Sequence, residues 1–175
     1  MTLIETERLT IRRLALEDAP FMLAMLTDPG FVANIGDRGV RDLARAGDYL
    51  RSRVLASYVD HGFGMFRVAL RATDEAVGIC GLVQREGLDG PDLGFAYLSG
   101  RRRRGYGLEA AWAIIHWAED ELGIDRLLAV TTRENEASAK LLAKLEFREA
   151  GETSLPGSAV ASRLFVRDRK DAVGQ

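Results

Sequence analysis

Four consecutive arginines, Arg101 to Arg104, run directly into two glycines, Gly105 and Gly107, and an apolar helical pattern begins at once. A turn at the start of a helix presents unpaired backbone N–H groups, and the helix dipole makes that end partly positive. Glycines let the backbone come close to a phosphate, and arginine forks match phosphate geometry. These residue types at this spacing therefore predict an anion site for a phosphate-bearing ligand.

Two well-known phosphate motifs do not fit this loop. No Gly-Lys-Ser/Thr follows, so it is not a Walker loop, and the acidic residue expected about 20 positions after a GxGxxG turn is missing. What stands here is Arg102-x-x-Gly105-x-Gly107. Other interpretations stay open, since the arginines could form a solvated face or a nucleic-acid patch and the glycines could serve only a tight turn.

Strands and helices must position this loop. Alternating or continuous apolar runs predict strands, and apolar residues three and four apart predict helices. The predicted strands are residues 8–14, 63–70, 76–85, 92–98 and 126–132, with two final strands through 162–168. The first predicted helix begins at Glu17, Asp18 and Pro20 and ends in a turn at 28–30, and a second covers 40–59. A long helix follows, with the apolar stripe Leu108, Ala111, Ile115, Ala118 and Leu122. A short helix then places Ser138, Leu141, Leu142 and Leu145 on one face.

The centre of the chain is thus strand, basic glycine-containing turn, helix and buried strand. The continuous apolar run "RLLAVTT" at 126–132 is typical of a buried parallel strand after a crossover helix. This order predicts a βαβ unit with the anion site at its first turn.

Composition narrows the possible functions. The chain has 175 residues, 47% hydrophobic and 29% charged, which predicts a single domain over 1–175 with a substantial core. Cys80 is the only cysteine, so no intrachain disulfide forms, and with two histidines a zinc cage or a Cys/His triad is poorly supported; we expect no metal. The net charge of −2 predicts no nucleic-acid partner.

The compartment is also predicted from the sequence. The N-terminus carries charges where a signal peptide has its apolar core, and the longest near-apolar stretch, 110–118, is far too short to cross a bilayer. We expect a cytoplasmic protein with no membrane partner.

Five segments resemble the GNAT superfamily of acetyl-CoA-dependent N-acetyltransferases, in the same order along the chain. The loop resembles its Gln/Arg-x-x-Gly-x-Gly/Ala signature, and the closest branch is that of the ribosomal-protein N-terminal (alanine/serine) acetyltransferases. The matching segments are "IETERLTIRRLALEDA" (4–19), "GICGL" (78–82), "DLGFAYL" (92–98), "YGLEA" (106–110) and "NEASAKLLAKLEF" (135–147). The resemblance implies an α/β (α+β) fold with a mixed, mostly antiparallel sheet of about seven strands flanked by helices.

The chain departs from the branch at several positions. An aromatic residue and a glycine are common where Arg102 and Arg103 stand, Glu146 replaces the glycine of Lys-Leu-Gly-Phe, and Ser99 stands near the usual proline. None of these changes affects the expected cofactor loop, but they argue against naming one substrate.

The resemblance implies a site for acetyl-CoA as cosubstrate. The fourth predicted strand would pair with the pantetheine arm, the loop N–H groups would hold the pyrophosphate, and arginine side chains could reach the phosphates, including the ribose 3′-phosphate. Asn135 would lie near the pantetheine, or could simply cap its helix. The residues assigned to the cofactor are Phe95, Ala96, Tyr97, Leu98, Arg102, Arg103, Arg104, Gly105, Tyr106, Gly107 and Asn135.

The implied chemistry is direct attack of an amine on the thioester in a ternary complex. Many family members use a tyrosine as the acid where Leu142 stands, so we take Ser138 as the candidate donor to the thiolate and Asp92 as the candidate base or amine anchor. Ser138 could instead be a packing residue and Asp92 a strand-edge turn residue. Catalysis could also be mostly positioning, with water receiving the proton.

The sequence therefore predicts an acetyl-CoA-dependent N-acetyltransferase. The alternative is a non-catalytic acyl-CoA-binding or regulatory module on the same fold, which only the missing tyrosine favours. The acceptor, a peptide N-terminus or a small-molecule amine, is expected to bind between the first two helices and the last two strands. The protein is expected to be a monomer or homodimer.

Overall fold

Eight strands form one sheet across residues 2–170, the residues that the computed structural model describes. The strand order is β1-β2-β3-β4-β5-β6-β8-β7, and all neighbours are antiparallel except β5 and β6. The strands are β1 (Thr2–Glu5), β2 (Leu9–Arg13), β3 (Met65–Leu70), β4 (Ala76–Val83), β5 (Asp92–Tyr97), β6 (Arg126–Thr131), β7 (Arg148–Thr153) and β8 (Ser162–Asp168).

Six α-helices connect and flank the strands. They are α1 (Ala19–Thr27), α2 (Pro29–Asn34), α3 (Leu43–Tyr49), α4 (Ala56–His61), α5 (Tyr106–Glu121) and α6 (Glu136–Lys144). Short 3₁₀ turns at Leu16–Asp18 and Ser99–Arg101 precede α1 and the loop before α5, and a π-helical turn at Leu50–Leu55 joins α3 to α4. The expected mixed, mostly antiparallel sheet flanked by helices is confirmed.

The sheet has eight strands where about seven were expected. The additional strand is β1, which forms a hairpin with β2 through a tight turn in which the Thr6 N–H donates to the Leu9 carbonyl at 2.9 Å. A four-residue segment beside charged residues, such as β1, is too short to show the alternation of polar and apolar residues on which a strand prediction depends.

The segment "DPG" (28–30) was expected to end the first helix in a turn, and it also begins a second one. Asp28 caps α2, since its carboxylate accepts the N–H groups of Gly30 and Phe31, and Pro29 occupies the first helical position. Both residue types favour a helix start as much as a turn, so the sequence alone did not separate the two.

The long helix α5 packs across the sheet. Ala111, Ile115 and Ala118 of its predicted stripe are fully buried, whereas Leu122 lies after the last helical turn and is 37% exposed. The crossover that α5 makes brings β6 beside β5 in parallel, as predicted. None of the helices in the described part of the chain is long and apolar enough to cross a membrane.

Candidate functional site

The strands β5 and β6 separate after one position of pairing. Within residues 2–170 they pair only at Asp92 and Leu128, where the Leu128 N–H donates to the Pro91 carbonyl at 3.0 Å. β5 stays paired with β4 on its other side over its whole length. The sheet therefore opens into a fork whose vertex is next to Asp92.

The backbone of β5 on the β6 side of this fork is available for pairing. Backbone groups alternate along a strand, and the Leu98 N–H donates to Val77 of β4 while the Pro91 carbonyl faces β6. The N–H and C=O groups of Phe95 and the N–H of Tyr97 therefore face the gap. An extended ligand arm could add there as a strand would, and Phe95 to Leu98 is the segment that the sequence assigned to the pantetheine.

The basic loop follows β5 and ends at the first turn of α5. Arg103 and Gly105 have positive φ angles of 59° and 81°, and Gly105 is the N-cap residue of the helix, with no side-chain cap. No side chain within residues 2–170 therefore accepts the first backbone N–H groups of α5. Glycine is favoured at position 105 because an L side chain rarely adopts this conformation.

The Arg102 side chain turns back onto the protein. Its Nε donates to the Tyr97 carbonyl and its Nη2 to Asp28, both at 3.0 Å, and the guanidinium lies so close to Gly30 that a Cβ there would be 2.2 Å from Nη1. These two bonds use donors of the guanidinium that the sequence assigned to a phosphate. The position instead ties the loop to the start of α2, and its backbone remains part of the turn.

The other arginines of the run differ from Arg102. Arg101 forms an ion pair with Glu75. The side chains of Arg103 and Arg104 are exposed and form no hydrogen bond or ion pair with the described residues. They remain the two side chains of the run that are free to meet an anionic ligand.

A second set of contacts holds the loop from the side of β2. Glu109 in the first turn of α5 accepts the Thr6 hydroxyl at 2.6 Å, the Arg8 N–H at 2.9 Å and the Arg8 Nε at 2.7 Å. Arg8 Nη1 also donates to the Arg104 carbonyl at 2.9 Å. Burial opposes the charge of Glu109, but the bonds from Thr6 and Arg8 outweigh it and hold the pKa of the carboxyl below its usual value.

Gly107 has a packing role. A Cβ there would lie 3.3 Å from Leu141 of α6 and 3.4 Å from the Tyr97 ring. The second glycine of the motif thus lets the start of α5 pack tightly between β5 and α6. This differs from Gly105, where the backbone conformation itself selects glycine.

Asp92 lies at the vertex of the fork and is 1% exposed. Its two carboxylate oxygens are each 3.0 Å from Arg85 Nε, and Arg85 is about one-third exposed. Burial raises the pKa of Asp92 to about 6 in spite of the nearby guanidinium. A carboxylate with this pKa can accept a proton near neutral pH, but substrate must reach it past Arg85.

The residues of α6 show two different roles. Asn135 caps the helix, because its side-chain oxygen accepts the Ser138 N–H at 3.1 Å. Ala139 and Leu142 are buried, whereas Ser138 is half-buried. Ser138 therefore lies beside the packed stripe in which it was placed, one turn before Leu142, and its hydroxyl donates to none of the described residues.

A cleft of about 1220 Å³ lies next to the residues that precede β5 and follow β6. It reaches from Leu82–Glu86 at the end of β4, beside Asp92, to Thr132–Glu134 after β6. One wall is formed by Tyr49 to His61, which includes the π-helical turn, and the other by Leu155 to Ser162 between β7 and β8. Of the elements that the sequence assigned to the acceptor, the second predicted helix (40–59) and the segment that joins the last two strands line this cleft, whereas the first helix does not.

Several residues of this arrangement were not identified from the sequence. Asp28 gave a weak signal, since an aspartate before proline marks a turn as readily as a helix cap. Arg85 was not identified either. Arg8 and Glu109 lie in segments that matched the family pattern, "IETERL" and "YGLEA", but their contact joins positions 101 apart. Only the tertiary structure brings them together.

Known proteins resemble this chain in sequence and in fold. The family model described as "Acetyltransferase (GNAT) domain" matches residues 8–148. The "Uncharacterized N-acetyltransferase YjdG" of Bacillus subtilis is 30% identical over 155 residues, covering 84% of this chain and 90% of the relative.

Solved structures share the whole fold. An acetyltransferase from Agrobacterium tumefaciens has a TM-score of 0.80 at 25% identity, over 95% of this chain and 94% of its own. RimL, a ribosomal L7/L12 alpha-N-protein acetyltransferase solved in complex with coenzyme A, has a TM-score of 0.80 at 13% identity, over 97% of this chain and 98% of its own. The latter likeness is one of fold.

Proposed function

The chain belongs to the GNAT acetyltransferase family, and on that premise we propose that it transfers the acetyl group of acetyl-CoA directly to a primary amine held in the same cleft. The observation that carries the proposal is the fork between β5 and β6. It leaves backbone groups of Phe95 and Tyr97 unpaired with β6 and leads to the uncapped start of α5. Family membership makes the protein an acetyltransferase; the amine acceptor and the mechanism are the proposed part.

The donor would bind along β5 and at the loop. The backbone of Phe95 and Tyr97 would pair with the amide groups of the pantetheine arm, as an added strand does. The diphosphate would take the N–H groups at Gly105 to Gly107, where the helix dipole favours negative charge. Arg103 and Arg104 are the side chains free to meet its phosphates, whereas the Arg102 side chain is occupied by Tyr97 and Asp28.

Asp92 and Ser138 are the groups of this chain that could move or hold protons. An amine attacks only as the free base, and Asp92, with its pKa near 6, could accept the proton through water. The Ser138 hydroxyl could donate to the leaving thiolate, because it is half-buried and makes no bond of its own to the described residues. A backbone N–H in the fork could hold the acetyl oxygen as charge develops.

The acceptor would enter from the wide cleft. Its lining is mixed in charge, with Arg38, Arg53 and Arg85 against Asp60 and Glu86. Its volume of about 1220 Å³ exceeds what a small ligand needs, since drug-sized ligands occupy about 300–1,000 Å³. A peptide N-terminus fits such a cleft as well as a small amine does.

A second candidate is an acyl-CoA-binding module without turnover. It is favoured by Leu142, which is fully buried at the position where a tyrosine acid would stand. The two functions share the donor site and differ only in the chemical step.

Thiol release separates the two. Acetyl-CoA is mixed with the protein and with a panel of amines and N-terminal peptides, and free CoA thiol is measured. The proposal predicts acceptor-dependent release. If calorimetry shows CoA binding but no member of the panel produces thiol, the module without turnover is supported; if CoA does not bind at millimolar concentration, both are wrong.

A further inference from the structure

Arg8 contacts three residues at the start of α5. Its Nη1 donates to the Arg104 carbonyl at 2.9 Å, its Nε donates to Glu109 at 2.7 Å, and its guanidinium carbon is 5.0 Å from the centre of the Tyr106 ring. A lysine has no planar fork with which to make the first two bonds at the same time. The contacts therefore depend on the shape of the side chain as well as on its charge.

The bond to Arg104 sets the direction of one peptide group. In a trans peptide the C=O and the following N–H point in opposite directions, and the described chain has no cis peptide. The Arg104 carbonyl faces Arg8, so the Gly105 N–H faces away from Arg8. This N–H comes directly before those at the start of α5, which also lack side-chain acceptors.

Glu109 places a negative charge in the first turn of a helix whose start is expected to take a diphosphate. On Coulomb grounds alone this charge would weaken the binding of an anion. The carboxylate is nonetheless held by Thr6 and by two donors of Arg8. Its contacts are directed at Arg8, which it orients toward the Arg104 carbonyl.

We propose that Arg8, oriented by Glu109 and Thr6, is a positioning residue that fixes the Arg104–Gly105 peptide so that the Gly105 N–H is presented to the diphosphate of the donor. This inference rests on the proposed function. It assigns a role to Thr6 and Arg8, which lie in the turn between β1 and β2 and not on the loop that Arg8 orders.

A simpler alternative is that Arg8 acts only by its positive charge. The two explanations make different predictions for two variants. Arg8→Lys keeps the positive charge and loses the planar guanidinium. It therefore binds CoA as tightly as the wild type only if the charge alone matters. Glu109→Gln removes a negative charge near the anion, so charge alone predicts tighter binding, whereas loss of the support for Arg8 predicts weaker binding.

Calorimetric titration with CoA tests the proposal on the full chain. We expect Arg8→Gln and Arg8→Lys to raise the Kd roughly 10- to 100-fold, because the Gly105 N–H is no longer held toward the diphosphate and its charge-assisted hydrogen bond is lost. Glu109→Gln should raise the Kd by a smaller factor. The control is Arg126→Gln, an exposed arginine paired with Asp168 in another part of the sheet, which should leave the Kd unchanged.

Turnover of S-acetylpantetheine, a donor without the diphosphate, separates positioning from general damage to the fold. The Arg8 variants should use it within about twofold of the wild-type rate while their kcat/KM for acetyl-CoA falls. Wild-type affinity in Arg8→Lys, or tighter CoA binding in Glu109→Gln, would overturn the proposal, as would an equal loss with both donors. A wild-type protein that does not bind CoA would instead refute the proposed function.

Discussion

Asp28 and Arg102 stand 74 positions apart in the sequence, and their side chains meet at 3.0 Å. Asp28 also accepts the Ser99 N–H at 2.9 Å and the Ser99 hydroxyl, in addition to capping α2. One buried carboxylate thus connects the start of α2 with the loop that precedes α5. The loop conformation depends on residues outside the motif by which the loop is recognised.

Replacing Asp28 with asparagine should lower the free energy of unfolding by about 1–3 kcal/mol, because the amide turns one acceptor into a donor that faces other donors. The measurement is urea unfolding near neutral pH. Asp37→Asn is the control, since Asp37 is exposed, binds only Arg41 and the Gly39 N–H among the described residues and caps no helix, so its loss should cost less. An equal effect of both substitutions would contradict this role.

The difference in the free energy of unfolding between wild type and Asp28→Asn should also depend on pH. Burial opposes the charge of Asp28, but bonds from Ser99, Gly30 and Phe31 outweigh it and lower the pKa of the carboxyl. A lowered pKa stabilises the fold above the unfolded-state pKa, and this stabilisation is lost as the pH falls through the folded-state value. The difference between wild type and Asp28→Asn should therefore shrink when unfolding is repeated at pH values that fall below the unfolded-state pKa of an aspartate, about 3.9.

Gly105→Val should remove CoA binding in a protein that still folds. The substitution strains a backbone with φ of 81° at the point where the loop presents its N–H groups. Gly123→Val controls for the backbone strain, because Gly123 follows the other end of α5 and has φ of 65°; its Cβ position is open, whereas a Cβ at Gly105 would lie 3.1 Å from Arg8 Nη2. Thermal denaturation should show a similar loss of stability in both, whereas calorimetry should show a loss of CoA affinity only in Gly105→Val.

If Asp92 accepts the proton of the amine, kcat/KM for the amine should fall on the acid side with an apparent pKa of about 6, the value to which burial raises the pKa of this carboxyl. Asp92→Asn should remove that limb and lower the rate by about 10²–10⁴-fold, as is typical for a general base. A profile that follows only the pKa of the substrate amine, with a change of a few-fold, would support positioning and water instead.

Ser138→Ala should lower kcat with little change in the KM for acetyl-CoA, because a bond to the thiolate strengthens only as the acetyl group leaves. The cap of α6 is not disturbed, since it uses the Ser138 backbone N–H. Asn135→Ala is the contrasting variant, expected to cost about 1 kcal/mol of stability through loss of that cap. A wild-type kcat in Ser138→Ala would remove Ser138 as the acid.

The buried pair of Glu119 on α5 and Arg167 on β8 gives a stability prediction away from the site. Arg167→Met should cost about 3–5 kcal/mol, because it leaves a buried carboxylate without its partner. The double substitution with Glu119→Leu should recover most of this loss, since apolar packing can replace a buried ion pair. Urea unfolding of the two variants checks the recovery; a double variant no more stable than Arg167→Met would contradict it and show that apolar packing does not replace the pair.

The sequence was sufficient for the order of the main elements, and it marked the loop at which we propose that the donor binds. Period-two and helical patterns marked seven of the eight strands and the long helix, and the Arg102-x-x-Gly105-x-Gly107 turn marked the anion site. These signals are local, since a strand, a turn and a helix start depend on neighbouring residues. For the same reason the four-residue β1 and the helix α2, whose start resembles a turn, were missed.

What the tertiary structure alone decided is which arginine side chains of the loop are bound within the protein. Arg102, Arg103 and Arg104 are identical in a sequence, yet Arg102 is bound by Asp28 and Tyr97 while the other two face outward. Arg8 and Glu109, which hold the same loop, are 101 positions apart. Contacts across such separations follow from how β2, α1 and α5 pack onto one sheet, and no periodicity within a segment encodes that packing.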